Sequence, residues 1–120
     1  MKKRYLLIAI LTITVVNAEL LKIGGMTVFD SASAEHASEL KVYLDRGVNV
    51  NIKDADGDSL LSYACAGNKF DNVKLLVERG ANVKAINTSG ETILESCIIL
   101  PSFAKKRENI IEYLKSKGAK

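Results

Sequence analysis

Two stretches of this chain are variants of a single stretch. Residues 39–58, ELKVYLDRGVNVNIKDADGD, and residues 72–91, NVKLLVERGANVKAINTSGE, align without a gap at an offset of 33. Six positions are identical (Lys41/Lys74, Arg46/Arg79, Gly47/Gly80, Asn49/Asn82, Val50/Val83, Gly57/Gly90), and most others keep their apolar or polar character. A period of this size belongs to a stacked solenoid, whose units cannot bury their apolar faces alone and do so against their neighbours. Such an array encloses no reaction chamber. It offers an extended surface, so the period points to binding of another macromolecule.

Within one period the residues lay out a turn, a short helix, a tight connection, a second helix and a loop. In the middle copy Gly57 sits in a turn rich in Asp54, Asp56 and Asp58, and Ser59 is placed to cap the helix that follows. Leu60, Leu61, Ala64 and Cys65 then recur at the three-to-four spacing of an amphipathic helix. Gly67 and Asn68 break it, because both tolerate the left-handed conformation. Val73, Leu75, Leu76 and Val77 carry the second helix, and Gly80 ends it.

These residues resemble the ankyrin repeat. The middle copy, GDSLLSYACAGNKFDNVKLLVERGANV, follows that family's pattern of helix, turn, helix and closing Gly-Ala-Asn-Val. The first copy matches best over 39–51, and a third opens at Ser89-Gly90-Glu91-Thr92 and closes at Lys117-Gly118-Ala119. Gly118 follows Gly80 by 38 residues, so the third copy carries five more than the period. The resemblance implies an all-α solenoid of three helix-turn-helix repeats with hairpin-like connecting loops, over about 23–55, 56–88 and 89–120.

The family's Thr-Pro-Leu-His tetrad is replaced by Ser59-Leu60-Leu61-Ser62 and by Thr92-Ile93-Leu94-Glu95. Thr92 with Glu95 supplies a capping box instead. In the first copy Glu35 stands where a glycine normally separates the helices. The inner helix there carries Ser31, Ser33 and Glu35, as a water-facing end repeat should.

The N-terminal segment reads as a secretory leader over residues 1–18. Lys2, Lys3 and Arg4 precede an eleven-residue apolar run over 6–16, and Val16-Asn17-Ala18 offers small residues where a signal peptidase cuts. The run is shorter than the ~20 residues a spanning helix needs. Cleavage leaves a domain over 19–120, with no membrane association and a location in the periplasm or outside the cell. It also lowers the 17 basic residues by three to match the 14 acidic ones. The remaining chain is formally neutral and lacks the concentrated basic field of a nucleic-acid surface.

Cys65 and Cys97 fall on the inner helices of adjacent repeats, where Cys97 aligns with Ala64 and Cys65 with Ile98. The favoured reading is two small core residues, since unpaired Cys is among the most buried residue types. A disulfide across the repeats is the alternative in an oxidising compartment.

Chemistry-bearing constellations are sparse. His36 is the only histidine and falls in an inter-helix connection, so no nucleophile–base–orienter set is evident and catalysis is not expected. Asp54, Asp56 and Asp58 alternate like calcium ligands but lack the closing glutamate, and read as a solvated hairpin tip. No phosphate loop or paired-cysteine zinc spacing occurs, and no metal, cofactor or small-molecule substrate is expected.

The resemblance implies a partner face made of hairpin tips and the solvent side of the inner helices. The tips contribute Asp54, Asp56, Asp58, Asn87, Ser89 and Glu91, and the middle inner helix contributes Ser62, Tyr63, Ala66 and Lys69. Tyr63 stands out because its equivalents are Asp30 and Ser96, so packing does not demand an aromatic there, and tyrosine is enriched in interface hot spots. Lying flat over its neighbours is the competing role. Phe103, in the third copy's insertion, is a further candidate anchor with Lys105-Lys106-Arg107 beside it. Its competing role is to close the end of the stack, with the basic triplet solvated. Together these features describe an exported adaptor, monomeric alone, that binds one protein. A bacterial immunity protein against a cognate toxin fits best, and a secreted host-directed effector or an accessory of a periplasmic enzyme are the alternatives.

Overall fold

The computed structural model describes residues 22–23, 26–35, 37–98 and 104–120. The expected leader, His36 and Phe103 lie outside the described residues. Among the described residues, a two-residue antiparallel pair, β1 (Lys22–Ile23) with β2 (Met26–Thr27), leads into six helices. These are α1 (Val28–Ser33), α2 (Ala37–Asp45), α3 (Leu60–Ala66), α4 (Phe70–Glu78), α5 (Ile93–Ile98) and α6 (Ala104–Ser116). Each odd helix packs on the even helix that follows it, and α3 lies between α1 and α5 in an inner row, with α4 between α2 and α6 behind. The expected three-repeat helical solenoid is therefore the observed architecture.

Repeated local rules build each unit. Helix α1 starts with a reciprocal box, in which the Asp30 amide donates to Thr27 Oγ1 (3.1 Å) and the Thr27 amide donates to Asp30 Oδ2 (3.0 Å). Thr92 and Glu95 form the same box ahead of α5, at 3.2 and 2.7 Å, as their spacing predicts. The outer helices all end alike. Val48, Ala81 and Ala119 donate their amides five residues back to Tyr43, Leu76 and Leu114, while Gly47, Gly80 and Gly118 take φ of +95°, +90° and +99°. This is the Schellman closure, which needs a residue free to adopt the left-handed region.

Burial follows the apolar periodicity. Leu60, Leu61, Ala64 and Cys65 from α3, Val73 and Leu76 from α4, Ile110 and Leu114 from α6, and Leu40 and Tyr43 from α2 are all at most 1% exposed. They form one core running through the stack rather than one per repeat.

Four details differ from the sequence reading. Ser31 does not face water: it is fully buried, and its hydroxyl donates to the Val28 carbonyl at 2.6 Å. At the α3–α4 connection only Asn68 is left-handed (φ 57°), whereas Gly67 is right-handed at φ −75°. Gly67 serves proximity instead, since a Cβ there would stand 3.2–3.3 Å from the Ser33 backbone and Cβ. Cys65 and Cys97 are not two separate core residues. They are joined as a disulfide between α3 and α5, with Cα atoms 4.8 Å apart, inside the range such a bond requires. Arg107 is neither solvated nor free to meet a partner, because it is only 4% exposed.

The first two repeats are tied by Asn72, a fully buried residue on α4. Its side-chain amide donates to the carbonyls of Ala32 (2.8 Å), Ala34 (3.1 Å) and Ser31 (3.3 Å) at the end of α1. The Ser31 carbonyl also accepts the Ala34 amide at 3.3 Å, but the helix ends there without a further turn, so one side chain from the next repeat completes it. Asn72→Ala strips the donors from this site and is expected to destabilise the fold by about 2–3 kcal/mol, read as a lower urea midpoint at unchanged slope.

Candidate functional site

The hairpin tips are built by acidic and amide side chains that replace missing backbone bonds. At the first tip, bracketed by a single bridge between Lys53 and Ser59, Asp54 Oδ1 accepts the amides of Asp56 and Asp58, each at 2.9 Å. At the second, bracketed by Ile86 and Thr92, Asn87 Oδ1 accepts the amides of Ser89 and Glu91, again at 2.9 Å. The tips are then sewn together. Thr88 donates to the Asp56 carbonyl from its amide (3.1 Å) and its hydroxyl (2.7 Å). This contact requires glycine at 57, because a Cβ there would lie 2.8 Å from the Thr88 nitrogen at a φ of +78°.

Between the tips and the inner helices lies a concavity of roughly 190 Å³ lined by Asp58, Ser62, Tyr63 and Ala66 of the second repeat and Glu91 and Ser96 of the third. Five of the residues expected at a partner face, Asp58, Ser62, Tyr63, Ala66 and Glu91, thus converge on one groove. Ser96 joins them. Asn87 holds the groove's two acids in place, donating from one amide nitrogen to Asp58 Oδ1 (3.0 Å) and Glu91 Oε2 (2.8 Å). Ser62 and Ser96 form the floor, each only 6% exposed, with their hydroxyls already donating to the carbonyls of Ser59 and Thr92. The polar contacts open to a ligand are therefore the carboxylates.

The remaining candidates are dispersed. Asp54, Asp56 and Ser89 sit on the tips above the groove. The carboxylate oxygens of Asp54, Asp56 and Asp58 fall within 4.8 Å of one another, but both Asp54 oxygens are already occupied by two amides and the Tyr63 hydroxyl. Lys69 lies beyond the opposite end of α3. It pairs there with Glu35 and lines a separate cavity of roughly 430 Å³ with Gly67, Asn68, Phe70 and Asp71.

Tyr63 packs on its own neighbours and also lines the groove. Its ring packs on Phe29 with centroids 5.2 Å apart, and its hydroxyl donates to Asp54 Oδ2 at 2.6 Å while the side chain still lines the groove. That bond to Asp54, with burial and the neighbouring carboxylates, pushes the phenol up to about 12. Burial disfavours the Asp54 carboxylate. The hydrogen bonds from Tyr63 and from the Asp58, Asp56 and Gly57 amides outweigh it and hold Asp54 below the usual carboxylate range.

Comparison with known families matches residues 28–120 to the family described as ankyrin repeats, in three copies. Comparison with curated proteins returns no match. Among the described residues, no helix is long and apolar enough to cross a membrane.

The Tyr63–Asp54 bond carries a pH signature at both ends of the scale. Asp54 titrates lower when folded, so its stabilisation is present above its unfolded pKa of 3.8 and lost as pH falls through the folded value. Tyr63 titrates higher, so its stabilisation holds below the unfolded 10.0 and disappears as pH rises through about 12. Asp54→Asn is expected to move one tyrosine ionisation down toward 10, seen as phenolate absorbance in the difference between variant and parent titrations.

Proposed function

The chain belongs to the ankyrin-repeat family, whose arrays are generally non-enzymatic protein-binding modules, and from that premise we propose an exported binding module that grips a protein partner in the groove between its second and third repeats. The observation that carries this reading is the convergence of Asp58, Tyr63, Ala66 and Glu91 on one concavity, with residues contributed by two successive repeats. A groove assembled from two units presents a shape that neither unit has alone, which is how repeat arrays gain specificity.

Charge narrows the partner. Among the described residues, Asp45 is ion-paired with Lys41 and Arg79 and Glu35 with Lys69, whereas Asp56, Asp58 and Glu91, like most of the other acids, have no lysine or arginine within ion-pair distance. Asn87 brings Asp58 and Glu91 together without neutralising either. A partner segment carrying lysine or arginine matches this face, and charges of this kind act mostly on association rate and on choice of partner.

The finer role we propose is that of an immunity protein, which neutralises a cognate toxin in the periplasm. Support comes from the leader-like N-terminus, from the small size of the array, and from a Cys65–Cys97 disulfide that suits an oxidising compartment. Fractionation of the native cells tests the compartment, with recovery in the cytoplasm counting against export. Capture with the full chain then tests the groove. One exported protein should be retained by the parent and lose its activity when bound. Asp58→Asn/Glu91→Gln should bind it roughly tenfold more weakly, with a flatter dependence on salt. Equal affinity and salt dependence in parent and variant would place the contact elsewhere.

A further inference from the structure

The two inter-repeat interfaces are fastened by different means. Between the first and second repeats, Asn72 clamps the carbonyls ending α1, Lys69 pairs with Glu35, and Arg79 pairs with Asp45 at 2.8 Å. With the third repeat aligned on Gly80 and Gly118, Asn72 is replaced by Ile110, Lys69 by Arg107 and Arg79 by Lys117. Their counterparts across the interface, one period after Glu35 and Asp45, are Asn68 and Glu78. None of the three ties is remade. Asn68 Oδ1 and two guanidinium nitrogens of Arg107 are buried without a partner, and no ion pair joins the second and third repeats among the described residues. The bond between helices α3 and α5 is the Cys65–Cys97 disulfide.

That disulfide lies directly beneath the groove. Cys65 is flanked on α3 by Ala66 and, one turn back, by Ser62, and Cys97 follows Ser96 on α5; all three neighbours line the concavity. We propose that Cys65–Cys97 is a redox latch for the binding groove: oxidised, it holds α5 against α3 and the groove is complete; reduced, the third repeat separates and the groove is lost. Closing the latch removes two electrons and two protons from the two thiols. The electrons pass to a disulfide-bearing oxidant by thiol exchange, through a mixed disulfide, and the oxidant leaves as two thiols. Opening is the reverse, driven by a dithiol reductant. Both cysteines are completely buried, so exchange takes place only while the third repeat is lifted. Oxidation during export therefore sets the latch, and a dithiol reopens it only during such lifting.

The inference rests on the groove being the binding face, but its test reads assembly of the groove and needs no partner. Amide hydrogen exchange is measured on the full chain in two states. One is oxidised with glutathione disulfide, and the other is refolded and kept in dithiothreitol, with thiols counted in each. Reduction is expected to speed exchange in α5 roughly a hundredfold, while α1 to α4 change by less than about threefold, because the bond restricts the opened state of a long loop. Cys65→Ala/Cys97→Ala, which fills the same small sites, should behave like the reduced protein under oxidising conditions. Equal protection of α5 in both states overturns the proposal. So does uniform loss across all helices, which would make the bond a general requirement for folding, or recovery of two unpaired thiols after oxidation.

Discussion

Everything in this array depends on neighbouring inner helices coming close enough to share a core. The row α1, α3, α5 is lined by small side chains, Ala32, Ala64, Cys65 and Cys97, each completely buried. Glycine extends the pattern into the connection, where Gly67 leaves room for the Ser33 backbone. At such distances a single added methyl group has nowhere to go, and packing at interior density makes that costly. The larger residues, Leu40, Tyr43, Leu76, Ile110 and Leu114, fill the wedge between inner and outer rows. A solenoid of three short units has little core to spare, so small inner residues and large outer ones are both needed for any repeat to be covered.

Close stacking creates the functional surface as a consequence. Because the inner helices are tight, the hairpin tips are brought into contact, and Thr88 reaches the Asp56 carbonyl while Asn87 reaches Asp58. The tips then stand as a wall above the short helices, with the groove at the corner. Its acids are held by amide hydrogen bonds rather than by cations, which fixes their positions and leaves their charge available to a partner.

Much of this was readable in the chain itself. The period, the three helix pairs and the left-handed glycines at 47, 80 and 118 follow from patterns whose physical causes are local. So do the capping box at Thr92 and Glu95 and the burial of Leu60, Leu61, Ala64 and Cys65. What escaped the sequence depends on relations between repeats. The cysteines align with Ala64 and Ile98 in strict register, and only the diagonal meeting of α3 with α5 reveals that they are neighbours at a separation of 32. Nothing in the segment around Asn72 indicates that the carbonyls it serves are about 40 residues earlier. Arg107 reads as one member of a basic triplet, and its burial follows from packing of α6 that charge patterning does not register.

The contrast between the two interfaces bears on how the array holds its shape. Polar clamps such as Asn72 act through directional bonds that form only when both helices are already placed, so they select one register for the first two repeats. A disulfide acts differently, limiting how far the opened chain can stray whether or not the register is right. The second interface thus combines covalent tethering with mostly apolar packing, through Ile93, Ile110 and Leu114. Buried polar atoms without a partner, on Asn68 and Arg107 and also at Asn72 Oδ1, subtract from the stability of the stack. The groove spans the interface with the fewest directional bonds between its helices, and the covalent bond beneath it supplies the order that those helices do not supply for themselves.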